Sequence, residues 1–348
     1  MALPRAPGCV HNRGMSKPPG DLVVVVLNYN MGELVVECLR SLEAEVRDLG
    51  ARVIVADNHS PDGSLGLVAA AIERHGWGGW VQTLALPRNG GFAYGNNHAI
   101  QAALNDPTIR FVYLLNPDTL MHPGGISRVR DYLLTHPEVG IAGARVCWPD
   151  GALNSGPHAT PSPLGELASA SRVGRLKQRF GRAAHDLESP AVDCDWVSGA
   201  AFCVRREVFE TVGLLDEGYF LYFEEVDFCV RAKRAGWRVI YLRDAQVTHH
   251  EGQATGIHDG RRKPAYWFES RRRFFSKTYG VGGLLAADLC WLAGRSLRLL
   301  REAVTRTPEP DAQQLTFDLL RSDALALLRG EGRPLALPGP LAPHGRGN

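Results

Sequence analysis

Phe-Val-Tyr-Leu-Leu-Asn-Pro-Asp, residues 111–118, is an apolar run of strand composition that stops abruptly at a polar turn. Aromatic and β-branched residues bounded in this way read as a buried strand leaving the core. Pro117 has no N–H to give a sheet ladder, so the strand must finish before it. Asp118 then lies just past the strand's carboxyl end, where ligands collect in open α/β sheets. On this stretch alone an ordinary turn explains Asn-Pro-Asp better. The neighbouring strands tip the balance toward a site.

Working outward, three upstream segments repeat the pattern. Leu22–Leu27 is a continuous β-branched run, suited to a parallel strand covered on both faces, and it ends in Asn28-Tyr29-Asn30. Apolar residues at 34, 35, 38, 39, 42 and 46 keep helical spacing as far as Leu49, and Gly50 is a natural stop. A strand over Arg52–Ala56 delivers Asp57-Asn58-His59-Ser60. After a helix over 64–75, a third strand, Val81–Leu86, ends in Arg88-Asn89-Gly90-Gly91-Phe92. The paired glycines permit positive φ and close backbone approach, and the chain continues through Tyr94-Gly95-Asn96-Asn97 into a helix ending near Leu104. Right-handed crossovers place the ends of all four strands on one edge of a parallel sheet. Four polar or glycine-rich loops converging there make a binding site.

Composition narrows the class. A chain of 348 residues holds one large α/β domain or two smaller ones, and a net charge of +2 implies no polyanion partner. Seven cysteines without CxxC spacing read as reduced core thiols of a cytosolic protein, not as disulfides or a zinc site. Residues 1–20 hold Pro, Gly and basic residues but no apolar h-region, so they read as a disordered lead-in and not a signal peptide.

Beyond Asp118, His122–His136 reads as a helix and Val139–Cys147 as a strand. Residues 149–190 read as a loop that turns basic at Arg172, Arg175, Lys177, Arg179 and Arg182. A solvated surface and a mobile flap over an anionic ligand both remain open for these cations. Asp195–Val204 returns to strand, and Arg205–Val212 forms a short helix. Tyr219-Phe220-Leu221-Tyr222-Phe223 then leads into Glu224-Glu225-Val226-Asp227, the start of a helix closed by Gly236. Acids in a first turn suit the helix dipole. An aromatic block directly before them can also raise a carboxylate's pKa toward that of a working base.

Strands over 237–242 and 245–248 lead to His249-His250. His with a carboxylate such as Asp118 is a legitimate divalent-metal set, although the spacing does not establish it. Arg261-Arg262-Lys263 and Arg271-Arg272-Arg273 flank Tyr266-Trp267-Phe268. Without overall basicity this pattern suits diphosphate or a membrane surface better than nucleic acid. Residues 281–300 are apolar but contain Asp288, Arg295 and Arg298, short of the about 20 clean apolar residues that span a bilayer. An amphipathic helix, lying on a membrane or packed against the body, is expected there. A helix over 311–329 precedes a Pro/Gly-rich tail expected to be disordered.

Taken together, Val26–Asn30, Val55–Ser60, Asn89–Asn97, Leu114–Asp118, Trp196–Ala200, Phe220–Asp227 and Val247–His250 resemble an inverting family 2 glycosyltransferase of the bacterial rhamnosyltransferase-like branch. The resemblance runs over roughly 22–280. It implies an α/β chain of the GT-A fold: a Rossmann-like, mostly parallel nucleotide-binding sheet with helices on both faces, here with a C-terminal helical extension. The domain boundaries expected are a lead-in at 1–20, the GT-A domain at 21–280, a helical, membrane-associating segment at 281–330 and a disordered tail at 331–348.

The same resemblance implies a dTDP- or UDP-linked nucleotide-sugar donor, dTDP-rhamnose first, and Mg²⁺ or Mn²⁺. Asn28 and Asp57 would hold the nucleoside, next to Tyr29 and Asn30, while Asn89, Gly90, Gly91, Gly95 and Asn96 would lie along ribose and phosphates. Asn116, Asp118, Trp196 and Gly199 complete the donor site. Asp118 would bind the metal; Asn116 stands where the family's motif begins with a second Asp, which leaves one carboxylate. His249 matches the family's metal-binding His, with His250 its rival. Position carries the base to Glu225, with Glu224 and Asp227 as neighbours in the same cluster. The acceptor is expected to be a glycan or lipid-linked hydroxyl, and the enzyme cytoplasmic, peripheral on the inner face of the membrane, with no nucleic-acid partner. A nucleotidyltransferase is the enzyme alternative, opposed by the second carboxylate cluster and the His pair. A silent nucleotide-sugar-binding or membrane scaffold protein is the other, opposed by intact Asp118 and Glu225.

Overall fold

A computed structural model describes residues 20–176, 180, 188–250, 262–306 and 314–329. In the first half, strands β1 (Leu22–Asn28), β2 (Arg52–Asp57), β3 (Val81–Ala85) and β4 (Phe111–Leu115) alternate with helices α1 (Gly32–Leu49), α2 (Ser64–His75) and α3 (Gly91–Leu104). The strands pair in parallel in the order β3-β2-β1-β4, which sets Asn28 beside Asp57 at the end of neighbouring strands. Strand side chains alternate between faces, and both faces of β1 are covered. Leu22, Val24 and Val26 pack with Val35, Leu39 and Leu42 of α1, while Val23, Val25 and Leu27 pack with Ala99, Ile100 and Ala103 of α3. That is why the run is apolar throughout.

The second half comprises β5 (Thr119–Met121), α4 (Gly125–Thr135), β6 (Val139–Cys147), β7 (Leu153–Ser155), α5 (Pro163–Ser171), α6 (Gly174–Leu176) and β8 (Ala191–Asp193). It continues with β9 (Ala201–Arg205), α7 (Arg206–Val212), α8 (Glu224–Arg234), β10 (Arg238–His249), α9 (Ala265–Thr305) and α10 (Leu315–Leu328). The ten-stranded sheet passes from β4 to β9, β6, β10 and β5, with β7 on β6 and β8 on β10. Strand β9 is antiparallel to β4 and β6, whereas β6 and β10 are parallel, so the parallel first half carries a mixed second half.

Several sequence expectations shift here. Residues 195–200 are not strand; a turn closed by Ala201 N–H donating to the Ser198 carbonyl precedes β9. The helix expected from His122 begins at Gly125, after a turn in which the Gly125 N–H donates to the His122 carbonyl, and residues 119–121 form β5 instead. The stretch read as loop contains α5, which Ser162 caps by accepting from the Gly165 N–H at 3.1 Å while Pro163 supplies the first turn. The two strands expected over 237–248 are one, with an irregularity between Leu242 and Gln246. Residues 281–300 belong to the long helix α9, which breaks at Gly280 (φ 72°). Residues 1–19 and 330–348, with Lys177, Arg179, Arg182 and Arg261, lie outside the described residues.

The C-terminal helices dock through buried charge as well as apolar contact. Arg271 is almost fully buried and pairs with Glu166 of α5 at 2.8 Å and with Asp288 at 2.7 Å. A Cβ on Gly294 would collide with the Leu167 carbonyl, so α5 and α9 approach closely only because that position is glycine. Among the described residues, no helix is long and apolar enough to cross a membrane.

Candidate active site

The sheet edge where the first three strand-end loops meet is a web of short polar side chains. Asn28 is fully buried; its Nδ2 donates to Asp57 Oδ1 at 2.6 Å, and its Oδ1 accepts from the Met31 N–H at 3.1 Å. Asp57 Oδ2 accepts from the Ser60 N–H at 3.0 Å. Asn58, not singled out by the sequence, joins the third loop to the second: its Nδ2 donates to Asn89 Oδ1 at 2.9 Å and to the Gly91 carbonyl at 3.1 Å. Asn89 Oδ1 also accepts from the Gly91 N–H at 3.0 Å. Buried polar groups must find partners, and here they find one another.

Other residues expected at the donor site have packing work. A Cβ on Gly90 would overlap the Tyr94 ring, and one on Gly95 would overlap Leu27. Asn96 donates to the Phe92 carbonyl at 3.0 Å. Trp196 stacks on His158 at 4.1 Å and donates from Nε1 to the Ala159 carbonyl. Tyr29 is half-buried, and Asn30 is exposed with φ 58°.

Strand β5 makes the next junction. Its antiparallel pairing with the end of β10 sets Thr119 opposite His249, and the His250 N–H donates to the Asp118 carbonyl at 2.9 Å. His249 Nε2 consequently lies 3.1 Å from Asp118 Oδ1 and 3.4 Å from Asn116 Nδ2. The contact with Asp118 is close but not aligned as a hydrogen bond, and Asp118 Oδ1 is buried without a hydrogen-bond partner. His250 takes its place by backbone alone. A bare carboxylate oxygen beside a ring nitrogen fits a divalent cation such as Mg²⁺ or Mn²⁺, which Asp118 and His249 would hold. Among the described residues, no three His, Cys, Asp or Glu side chains converge on one point, and this corner brings together Asp118 and His249. Cys38 lies behind Asn116, its thiol pushed up to about 12 by burial, and stays protonated.

Segment 196–200 joins this corner to the acids. The Asn116 N–H donates to the Ala200 carbonyl at 2.9 Å, and Gly199 lies against the side chain of Glu225. Burial raises Glu225 to about 7, although the backbone amides of Glu225, Val226 and Gly199 favour its ionised form. Glu224 is buried, and its pKa is driven well upward, first by burial and then by the charge of Glu225. One carboxylate oxygen of each is buried without a partner. Asp227 differs. Arg231 donates to its Oδ2 at 2.8 Å, and Lys277 Nζ lies 2.7 Å from its Oδ1. Lys277 also pairs with Asp216 at 2.7 Å, as does Arg273, so α9 grips the start of α8.

Directly before the acids, Tyr222 (φ 74°) and Phe223 (φ 70°) both adopt left-handed backbone, which costs bulky residues on the order of 1–3 kcal/mol each. Tyr266 of α9 sits 5.4 Å from Phe220 and 6.3 Å from Tyr222, ring centre to ring centre. The Phe92 N–H donates to the Phe220 carbonyl at 2.8 Å, and Gly91 (φ 89°) could carry no Cβ without striking that carbonyl. The donor loop and the acid-bearing loop are thus tied backbone to backbone.

A parallel sheet whose strand-end loops meet a raised carboxylate and the Asp118–His249 pair is the setting in which sequence comparison places the chain. The chain belongs to glycosyltransferase-like family 2, whose profile matches residues 18–280. It is a glycosyltransferase. An N-acetylglucosaminyl-diphospho-decaprenol L-rhamnosyltransferase of Mycobacterium tuberculosis is 29% identical over 255 residues, 68% of this chain and 78% of the relative. A low-salt glycan biosynthesis hexosyltransferase of Haloferax volcanii is 25% identical over 236 residues, 66% of this chain and 67% of the relative. The fold matches a Pyrobaculum calidifontis mannosyltransferase solved with GDP-mannose and Mn²⁺, at TM-score 0.52 and 17% identity over 89% of this chain and 81% of that one. Family membership sets the nucleotidyltransferase reading aside.

Proposed function

We propose that this protein is an inverting rhamnosyltransferase that draws on dTDP-rhamnose and glycosylates a hydroxyl of a lipid-linked glycan in cell-envelope polysaccharide synthesis, at the inner face of the cytoplasmic membrane. The mycobacterial relative's name supports both rhamnose and a sugar acceptor carried on polyprenyl diphosphate. UDP-galactofuranose and other UDP-hexoses are the next donors in order. The observation that carries the chemistry is Glu225, a half-buried carboxylate lifted to about 7 beside Gly199.

In the reaction, Glu225 takes the proton of the acceptor hydroxyl while that oxygen bonds to the anomeric carbon. The bond from that carbon to the donor's β-phosphate oxygen breaks, its electron pair leaves with the nucleoside diphosphate, and one displacement inverts the centre. Asp118 and His249 would hold Mg²⁺ or Mn²⁺, which when bound offsets the charge growing on the leaving diphosphate. Asn28, Asp57 and Asn89 orient the nucleotide. Asp227, with both oxygens engaged by cations, positions the acid-bearing turn and is not the base.

The test is calorimetric binding of a nucleotide-sugar panel with Mn²⁺ and with chelator, followed by turnover on a lipid-linked acceptor. Metal-dependent binding of dTDP-rhamnose and an inverted product are expected. Donor binding without turnover on any acceptor would overturn the reading in favour of a silent scaffold.

A further inference from the structure

Away from the active-site edge, the C-terminal helices face outward with the wrong chemistry for water. Beyond Gly280, α9 exposes Leu285, Leu289, Leu299, Leu300 and Val304, at 45%, 68%, 49%, 65% and 76%. They recur at helical spacing along a stripe about 30 Å long at 1.5 Å per residue. From Val281 to Thr305, no exposed residue carries a charge. Helix α10 adds an apolar stripe of Phe317 (59%), Leu320 (40%), Ala324 and Leu328 (84%), with the exposed cations Arg321 and Arg329 beside it. A helix bathed in water carries its charges on that face. Exposed apolar area of this extent marks an interaction surface.

The cations stand at the border of this surface. A hollow of about 420 Å³ between α10 and the start of α9 is lined by five cations, Arg262, Lys263, Arg272, Arg321 and Arg329, against two carboxylates, Glu269 and Asp318, with Phe268 and Leu325 among its apolar walls. Asp318 holds Arg262 through two bonds of 2.6 and 2.7 Å, and Asp323 holds Arg272 at 3.1 Å. Lys263 and Arg321 have no hydrogen-bond or ion-pair partner among the described residues. At 100° per residue, Arg321 and Leu325 flank the outward stripe of α10, so the cationic hollow opens at the edge of the apolar face.

We propose that this face docks on an anionic bilayer, with the apolar stripes lying among the acyl chains and the hollow taking the phosphate of a lipid head group. A second copy of the chain would satisfy the stripes but bring like-charged rims together; an anionic membrane satisfies both features. The inference deepens the reading of a lipid-linked acceptor, which must be met at the bilayer surface, but it is tested separately.

The experiment is flotation of the full chain with vesicles of phosphatidylcholine alone or mixed with phosphatidylglycerol, and dTDP binding measured on the same preparations. Binding to the anionic vesicles that falls with salt is expected. Lys263→Ala with Arg321→Ala should weaken it by about 25-fold, at about five-fold per cation. Leu289→Gln with Leu300→Gln should abolish it. Both double variants should bind dTDP normally. No vesicle binding by the full chain, or full binding by the cation variant, would overturn the proposal. So would inorganic pyrophosphate binding in chelator as tightly as the vesicles and lost with Lys263→Ala and Arg321→Ala, which marks a free-phosphate site in the hollow, or a dimer that Leu289→Gln with Leu300→Gln breaks. No dTDP binding with vesicle binding intact would instead count against the dTDP-rhamnose donor and leave the membrane face standing.

Discussion

The two halves of the sheet hold their polar residues in opposite ways. At the edge proposed for the donor, Asn28 and the Ser60 N–H satisfy both oxygens of Asp57, and Asn58 is bonded to Asn89. At the reacting edge, Asp118, Glu224 and Glu225 each keep a buried oxygen with no partner, next to two residues in left-handed backbone. The first edge is complete before its ligand arrives, and its loops are fixed for binding. The second is left wanting, and its unsatisfied carboxylates are where the proposal places the cation and the proton. Gly91 and Phe220 tie the two together.

The sharpest way to break this contrast is Glu225→Gln. Turnover should fall by about 10²–10⁴-fold while calorimetry shows unchanged dTDP binding; a parallel loss of both would mean the edges are one unit. Next is Lys277→Met, which strips a buried cation from between Asp216 and Asp227. Urea denaturation should show a loss of about 3–5 kcal/mol. Gly91→Ala tests the tie itself. The drop in kcat/KM for acceptor, about 10–100-fold as Phe220 and the acids behind it shift, should exceed any loss of donor affinity. Equal activity would show the halves to be independent.

The smallest effect concerns stability. Glu224 and Glu225 have folded-state pKa values above those of the unfolded chain, so the folded state keeps protons that the unfolded state releases. Stability should therefore fall as pH rises from about 4.5 through 7. Glu224→Gln should flatten that slope and raise stability at pH 8 by about 1–3 kcal/mol, read as Tm against pH.

This contrast also explains what the sequence made legible. The donor edge is built from strand, turn and helix in immediate succession, so periodicity and the polar stops at Asn28, Asp57, Asn89 and Asn116 disclosed it. The reacting edge depends on pairings distant in sequence. Strand β5 has three residues, too few for a pattern, yet it brings His249 to Asp118. The engagement of Asp227 by Lys277 and the contact of Gly199 with Glu225 lie in tertiary geometry. Asn58 could have been found, since it directly follows Asp57 in the same strand-end turn. The loop reading of 149–190 missed α5 although Ser162-Pro163 is a helix-start signal.

The most direct measurement is kcat/KM for acceptor against pH, at saturating donor, for the native enzyme and Glu225→Gln. With Glu225 as the base, the native profile rises about tenfold per pH unit and levels near pH 7, and the variant stays low and flat. The same rising limb in Glu225→Gln, or a native profile with no limb near 7, would contradict Glu225 as the base.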